Sequence, residues 1–474
     1  MSFFRAAKIL ILAGSIAVLG CSEPTRPTPP PPPPPPPPGP QPEVIAITAG
    51  PNPNMVVAAT VTAEAKLYDS AYVRFWPGTG PSMETPRYAF EGDTVVKIPV
   101  LGLDPATTYS LETNLVINGQ PDLPADTSTV TTGSLPAWIP PAVPQGTDPS
   151  PGFLVLSYPD GPVIMDNAGR VVWYLFAPGG VLNSFQAHPL GSYTRAVAGV
   201  ADPVFTLYDE AGDSVAVLRC AGGRKTRFHD LLLQAAGDYW IMCDDTRTMD
   251  LSGLGGDPAA QVTATVVQHV AADGSLLFEW NSFDHFQITD LPASSRNGPN
   301  VNFTHGNSID FDTDGNLLLS FRSLSEVTKI DVSTGAVLWR FGGLANQFTI
   351  VGDPKGTFER QHGMRSAGAR RIQFLDNGLA APSRMVRYDV DPATMTATMV
   401  WQFIDAPTTH TFVGGGTQVL ASGALVSFGL AGRVVETDPS GVRTWELTGI
   451  DGIYVFRAQR IGSLYSPGKG DPTR

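Results

Sequence analysis

The stretch Asp331-Val332-Ser333-Thr334-Gly335-Ala336-Val337-Leu338-Trp339 combines an acidic turn with an extended apolar run that ends in tryptophan. The same kind of unit recurs every roughly 45 to 60 residues, the length that four strands and their connections need for one blade of a β-propeller. The six units lie at 166–173, 209–218, 273–280, 331–339, 391–401 and 438–445. This spacing predicts six blades of about four strands each.

Both ends of the repeat region carry sequence that can close such a ring. Residues 152–158 and residues 454–461 are strand-like, and each is too short to form a blade alone. Together they would complete one blade. A closed ring leaves no sheet edge exposed at the junction.

A different pattern precedes the repeats. Residues 43–135 alternate apolar and polar side chains in short runs separated by Gly, Pro and Asp, which is typical of a β-sandwich. Residues 101–109 resemble the turn before a tyrosine corner in fibronectin type III domains, with Tyr109 as the corner residue. We therefore predict an all-β chain: a fibronectin-III-like β-sandwich at 43–135 and a six-bladed β-propeller catalytic domain at 136–474.

The N-terminus has the features of an export signal. Arg5 and Lys8 precede an apolar stretch that is too short to span a bilayer. Residues 1–20 are thus predicted to be a lipoprotein signal peptide, because residues 18–21 resemble a lipobox. Cys21 would then be acylated and anchor an exported protein to the outer membrane, at its periplasmic face or the cell surface. The alternative is an ordinary cleaved signal with an incidental cysteine.

A proline-rich linker follows at residues 21–42. Its unbroken run Pro29–Pro38 favours an extended polyproline helix, and beside a lipid anchor we interpret it as a spacer. Such a segment can also be a ligand for aromatic grooves. In an oxidising compartment Cys220 and Cys243 would form a disulfide or remain two buried thiols.

Charge narrows the range of partners. The chain has 31 Lys plus Arg against 44 Asp plus Glu, a formal net charge of −13, and charged residues make up 16% of it. A broad basic face that could neutralise phosphates is therefore not available, so no nucleic-acid partner is expected. The sequence also has no glycine-rich loop of the kind that cradles phosphates, and no cofactor is predicted.

Three of the seven histidines occupy the same position in their repeats. His229, His305 and His362 each precede the next bend by a few residues, at the predicted start of an innermost strand. Innermost strands line one channel, so these imidazoles should converge. Arg322 follows His305 by 17 residues, and one hairpin would return its guanidinium to the same mouth. A planar fork of donors suits a tetrahedral oxyanion.

Other interpretations of these histidines remain open. A histidine at a strand start is often a hydrogen-bonded structural residue, and three imidazoles are also suited to zinc, although no Cys or carboxylate has ligand spacing with them. His188 and His410 are candidates for the same layer in other blades. His269 and His285 are interpreted as turn or surface residues.

Five motifs between His305 and Gly378 resemble the arylsulfate sulfotransferase family in order and spacing. They are 305–310, 314–322, 334–343, 358–363 and 374–378, with further matches at 228–230, 383–401 and 454–457. The family has an N-terminal sandwich before a six-bladed propeller, as predicted above. This chain differs in having Phe228 where a second histidine is common and Gly363 where a larger polar residue is common.

The resemblance implies transfer of a sulfuryl group from a phenolic sulfate ester to a phenol, without a nucleotide donor. His362 would be the nucleophile and form a transient sulfohistidine. Arg322, His305 and His229 would hold the sulfuryl oxygens, and one imidazole would move the phenolic proton. A neutral His362 is required, and a nearby guanidinium would lower its pKa.

Two other functions compete with this one. A non-catalytic, lipid-anchored propeller could act as an envelope binding or scaffold protein. A quinone-cofactor dehydrogenase shares the Asp, Thr-Gly and Trp elements of residues 331–339. The dehydrogenase should also have a calcium site of Glu, Asn and Asp, for which the sequence shows no cluster.

Overall fold

Strands and connecting turns make up the described chain. The computed structural model describes residues 39–90, 92, 94–178, 183–188 and 191–465. The predicted signal peptide, Cys21 and nearly all of the linker lie outside them. The helices in the described part are short 3-10 turns at Ser252–Leu254, Ser282–Asp284, Ile288–Asp290, Ala293–Ser295 and Gly429–Ala431. The prediction of an all-β chain is confirmed. Nowhere in the described residues is there a helix with the length and apolarity needed to cross a membrane.

Two antiparallel sheets form before residue 135. Their strands are β1 (Glu43–Pro51), β2 (Ala59–Lys66), β3 (Ser70–Pro77), β4 (Met83–Glu84), β5 (Tyr88–Ala89), β6 (Val95–Val100), β7 (Thr108–Val116) and β8 (Leu123–Thr131). One sheet has the order β1-β2-β6, and the other has the order β4-β3-β7-β8 with β5 also paired to β3. Both contribute to one hydrophobic core. The Tyr109 hydroxyl accepts from the Asp104 N–H at 3.0 Å, which is the local contact expected of a corner tyrosine.

Six further sheets follow. Their strands are β9 (Val143–Gly146), β10 (Phe153–Tyr158), β11 (Gly161–Met165), β12 (Val171–Tyr174), β13 (Asn183–Ala187), β14 (Tyr193–Val197), β15 (Phe205–Tyr208), β16 (Ser214–Leu218), β17 (Lys225–Leu233), β18 (Tyr239–Met249), β19 (Ala260–Val270), β20 (Leu276–Asn281), β21 (Asn300–Asn302), β22 (Gly306–Phe311), β23 (Leu317–Phe321), β24 (Glu326–Ile330), β25 (Val337–Gly342), β26 (Thr349–Val351), β27 (His362–Ser366), β28 (Arg371–Asp376), β29 (Arg384–Asp391), β30 (Thr396–Phe403), β31 (Gly416–Leu420), β32 (Gly423–Ser427), β33 (Val434–Thr437), β34 (Arg443–Thr448) and β35 (Ala458–Ile461).

Each of these sheets has four antiparallel strands, and β21 and β26 add in parallel to the third and fifth sheets. Their orders are β12-β11-β10-β35, β13-β14-β15-β16, β17-β18-β19-β20, β22-β23-β24-β25, β27-β28-β29-β30 and β31-β32-β33-β34. The repeated acidic turn joins the last two strands of a sheet. In the fourth sheet, Asp331 Oδ1 accepts hydrogen bonds from the backbone N–H groups of Ser333 and Thr334, which closes the turn before β25.

Strands from the two ends of this region pair with each other. Phe153 to Leu156 of β10 pair with Ala458 to Ile461 of β35, as the sequence predicts. A second closure was not predicted: β9 adds to the outer edge of the sixth sheet by pairing with β34. Both pairings join residues about 300 apart in sequence. Backbone hydrogen bonds therefore hold the two ends of the six-sheet region together.

The first strand of each sheet contacts the first strand of the next in a closed circle; in the sheet that joins the two ends of the region, β35 takes this place. β13 contacts β17, β17 contacts β22, β22 contacts β27 and β27 contacts β31. β31 contacts β35, and β35 contacts β13 again. Residues at the start of these strands are therefore brought near one another although they are far apart in sequence.

The N-terminal sheets pack on the first sheets of the circle. Tyr174 accepts a hydrogen bond from the Val56 N–H at 2.9 Å, and Tyr465 accepts one from the Leu101 N–H at 3.0 Å. The Tyr88 hydroxyl donates to Glu210 Oε1 at 2.6 Å in a buried position. Tyrosine hydroxyls thus hydrogen-bond across this contact, and the ion pair of Arg170 with Asp104 also crosses it.

A disulfide joins Cys220 to Cys243, with the two Cα atoms 6.1 Å apart. Both cysteines are buried in a cluster with Ile241 and Val266. The bond ties the segment before β17 to β18, and it is the oxidised alternative of the two that the sequence left open.

We expect the double variant Cys220→Ala/Cys243→Ala to be less stable by about 3 kcal/mol, because the bond closes a loop of 23 residues in the unfolded chain. Equilibrium unfolding in denaturant measures this difference. The wild-type protein unfolded and refolded with reductant is the control and should match the variant. Equal stability of variant and oxidised wild type would contradict the expectation.

Candidate functional site

The imidazoles of His229 and His305 touch. Their Nε2 atoms lie 3.2 Å apart and their ring centroids 4.9 Å apart, edge to face. One Nε2 must carry the proton and the other must accept it. Asn302 Nδ2 lies 2.6 Å from His305 Nδ1, which assigns the His305 proton to Nε2. His305 then donates to His229.

An irregular stretch of β17 presents His229 to this contact. The pairing of β17 with β18 slips between Thr226 and Leu231, so His229 lies outside the regular ladder. Arg457 and Ser184 fix its backbone by donating to the His229 carbonyl, each at 3.1 Å.

Arg322 returns beside His305 through one hairpin. Gly306 of β22 pairs with Phe321 of β23, and the Arg322 N–H donates to the His305 carbonyl at 3.0 Å. The Arg322 guanidinium donates to the carbonyl of Phe412 through Nη2 at 3.2 Å. His305 has a positive φ of 50°, a strained conformation for a non-glycine residue.

His362 is buried and has one defined tautomer. Its Nδ1 lies 2.8 Å from Asn377 Oδ1 and 3.1 Å from the Arg360 carbonyl. Asn377 Nδ2 donates to the carbonyls of Thr411 and Gly414, so the amide oxygen must face the imidazole. Nδ1 therefore carries the proton, and the lone pair of His362 is on Nε2. The Gly414 N–H lies 3.3 Å from Nε2.

The residues on either side of His362 fix its position. Gln361 is buried, and its Nε2 donates to Ser320 Oγ at 2.9 Å and to the Glu326 carbonyl at 2.8 Å, both in the neighbouring sheet. Gly363 has a φ of 60°, and a Cβ there would lie 2.4 Å from Gly416 Cα. The approach of β31 explains why this chain has glycine at position 363.

Burial holds all three imidazoles neutral at physiological pH. It lowers the pKa of His362 to about 4, against the hydrogen bond that His362 donates to Asn377, which raises it, and Arg322 adds a lowering by charge repulsion. Burial, with the charges of Arg227 and neighbouring histidines, holds the pKa of His229 and of His305 well below the ordinary value. The sequence predicts that a nearby guanidinium lowers the pKa of His362, but burial is the larger cause of the lowering.

The charges that act on the three imidazoles are cationic. Arg322 lowers the pKa of both His305 and His362, which places its guanidinium within electrostatic range of both. Burial and the charge of Arg360 lower the pKa of Arg322 itself to about 10. No carboxylate is among the main influences on the three histidine pKa values in the described chain. The site is therefore prepared for an anion.

The remaining histidines lie apart from this cluster. His188 is buried, and its Nε2 lies 2.7 Å from Thr194 Oγ1 of the adjacent strand. His410 is exposed. His285 stacks on Trp280 at the surface. His269 was predicted to be a turn or surface residue, but it lies inside β19, where it stacks on Trp240 and its Nε2 is 2.5 Å from Asp238 Oδ2.

Arg227, Arg360 and Asn377 belong to the site and were not predicted. Arg227 and Arg360 stand two residues before His229 and His362, so a search for cations beside each histidine could have found them. Asn377 lies in one of the family-like motifs, but its role depends on a contact with a residue 15 positions earlier. Within the residues described, no three His, Cys, Asp or Glu side chains are arranged to hold a metal ion.

Solved structures that resemble this chain have low sequence identity to it and low TM-scores. A protein of unknown function from Bacteroides caccae is 12% identical, with a TM-score of 0.42, over 66% of this chain and 100% of that one. Virginiamycin B lyase from Staphylococcus aureus is 11% identical, with a TM-score of 0.35, over 73% of this chain and 93% of that one. Likeness at this level carries no conclusion about function. Among curated proteins nothing matches the chain.

A family comparison is more informative. Residues 224–450 match the model described as arylsulfotransferase (ASST). The matched region contains His229, His305, Arg322 and His362, and it begins just before β17. The resemblance found in the motifs is thereby confirmed. Residues 224–450 of this chain are therefore similar in sequence to the arylsulfotransferase family.

Proposed function

We propose that the protein is an aryl-sulfate sulfotransferase that moves a sulfuryl group from a phenolic sulfate ester to a phenol by a ping-pong route. The observation that carries this proposal is the fixed tautomer of His362, a buried neutral imidazole with its lone pair on Nε2, among guanidinium groups and two further neutral imidazoles. A neutral nucleophile beside fixed cations is what attack on an anionic ester requires.

In the first step His362 Nε2 attacks the sulfur, and the bond from sulfur to the aryl oxygen breaks. The electron pair leaves with the phenolate, and His362 holds the sulfuryl group. In the second step the acceptor oxygen attacks the sulfur, the nitrogen–sulfur bond breaks, and the phenolic proton passes to an imidazole. His229 is suited to accept this proton because it is neutral and because its Nε2, which accepts from His305 Nε2–H, has an available lone pair once the acceptor hydroxyl takes the place of that contact.

Arg322 would hold the sulfuryl oxygens in both steps. Its charge offsets the charge that builds up on the leaving phenolate, and Arg360 adds to the same field. Asn377 acts through His362 as a positioning residue.

The proposal includes the setting of the site. The closed circle of first strands supports a six-bladed propeller at 136–474, and the Tyr109 contact supports a fibronectin-III-like sandwich at 43–135. The N-terminal sequence supports export and a lipid anchor at Cys21 at the outer membrane. Phenolic substrates would then be met outside the cytoplasm.

The decisive experiment looks for the covalent intermediate. After brief exposure to 4-nitrophenyl sulfate without acceptor, mass spectrometry should find a sulfuryl group on the peptide that contains His362. His362→Ala should lose both this mass and the transfer to an added phenol, while His285→Ala, which changes a surface histidine that stacks on Trp280, should keep both. Full transfer by His362→Ala would leave only a binding or scaffold role for the ring.

The pH dependence of the donor half-reaction tests the state of His362. With its pKa at about 4, the nucleophile stays neutral on lowering the pH from 8 to about 5, so nitrophenol release should be level there and fall only near pH 4. Arg322→Ala removes a charge that lowers this pKa, so its acid limb should move to higher pH. The same variant should be slower by about 100- to 1000-fold. An acid limb near pH 6.5 in the wild type would be inconsistent with a buried, neutral His362.

Loss of the Asn377 contact should weaken the preference for the Nδ1–H tautomer, because only the Arg360 carbonyl at 3.1 Å remains to accept that proton. We expect Asn377→Ala to lower kcat of the donor half-reaction by about 100-fold, since a proton on Nε2 blocks attack and the imidazole also loses the contact that orients it. Nitrogen NMR of the imidazole should then show a mixture of tautomers, a signal that simple destabilisation does not produce. A single Nδ1–H tautomer in the variant would show that Asn377 does not set it.

A further inference from the structure

A cavity of about 500 Å³ opens beside the two touching imidazoles. Its size is in the range of pockets that enclose ligands larger than one aromatic ring. His229, His305 and Phe228 line one side of it. His362 and Arg322 are not among its lining residues, so the cavity extends away from the sulfuryl position.

Another part of the lining is a polar platform on β19 and the added strand β21. β21 pairs in parallel with β19, so that Gln261 is opposite Asn300 and Thr263 is opposite Asn302. Because side chains alternate between faces, these four polar residues share one face. Val262 and Val301 lie between them and are buried in the core. All four polar residues line the cavity.

Two buried polar groups in this cavity lack a hydrogen-bond partner. Arg227 and His229 are more than nine-tenths buried and line the cavity, and neither Arg227 Nε nor His229 Nδ1 has a partner. Buried polar atoms are rarely left unpaired, because the loss costs about 1 to 3 kcal/mol each. Their presence here points to a ligand that supplies hydrogen-bonding oxygens.

Arg227 is paired with Asp244, so these two charges of the wall offset each other. Lys225 also lines the cavity, but its side chain is exposed to solvent, which screens its charge. The wall therefore suits a neutral ligand. Amides and a hydroxyl supply both donors and acceptors, and the ring of Phe228 supplies a flat apolar face. This combination fits the hydroxyl groups of a sugar next to an aromatic ring. Phe228 is also the position at which the chain departs from the family pattern.

We propose that this cavity binds the sugar of a phenolic glycoside as the acceptor, with its aromatic ring against Phe228 and its free phenol toward His229 and His305. This inference rests on the proposed function and names the acceptor class for that site. The hydroxyl groups of the sugar would be bound by Asn300 and by the remaining donor and acceptor sites of Gln261, Thr263 and Asn302. Those three side chains also bond Thr248, Thr246 and His305, respectively.

The test compares two acceptors with 4-nitrophenyl sulfate as donor. 4-Hydroxyphenyl β-glucoside should have a kcat/KM at least about 10-fold above that of 4-butylphenol, which lacks the hydroxyl groups. Asn300→Leu should lower the ratio of the two values by about 3- to 10-fold, and Thr263→Val should lower it in the same direction. Asn118→Leu makes the same change at an exposed position in the N-terminal sheets and should leave the ratio unchanged.

Equal or better use of 4-butylphenol, or an unchanged ratio in both platform variants, would overturn the inference. A preference for a phenol with further ring hydroxyls over the glucoside would do the same. If no transfer occurs with either acceptor, the proposed function fails, but calorimetry of the glucoside on wild type and Asn300→Leu still decides this inference. Binding that Asn300→Leu weakens supports it, and absence of binding contradicts it.

Discussion

The antiparallel pairing of β10 with β35 is the contact on which the site depends. It brings the segment before β35 to the centre of the circle, and Arg457 at its start holds the carbonyl of His229 and the carboxylate of Asp230. Arg365 of β27 binds the same carboxylate from another sheet. A single buried aspartate thus joins three sheets directly beneath the imidazole pair. Breaking either guanidinium contact would leave a buried charge incompletely paired, which is costly in a low-dielectric interior.

The same closure produces an unusual balance of charge. The guanidinium groups of Arg365 and Arg457 are paired with Asp230. In the described part of the chain, by contrast, no carboxylate forms an ion pair with Arg322 or Arg360 beside the imidazoles. Each imidazole avoids added repulsion by remaining neutral. The site thereby keeps a positive field without placing a charge on its nucleophile. Arg322 and Arg360 repel each other, and a bound anionic substrate would reduce this repulsion.

Local pattern explains how much of this the sequence could predict. The return of Arg322 to His305 follows from one hairpin of regular register, and the pairing of the chain ends follows from two incomplete strands at the limits of the repeats. The touching of His229 and His305 depends on a slip in β17 that no periodicity reveals. The role of Asn377 depends on carbonyls of a loop more than 30 residues away. Predictions made from alternation and spacing thus found the strands and the histidines, but not the irregular backbone that orients them.

The short strand β21 lies outside the repeating four-strand ladder. It belongs to the excursion between β20 and β22, which contains three of the single-turn helices. Asn302, at the end of this strand, is constrained because it contacts His305 Nδ1. Asn300, at its start, is exposed and can be exchanged while the reacting groups stay in place. Related chains can thus diversify at such a position, and an engineer who wishes to redirect such a protein can begin there.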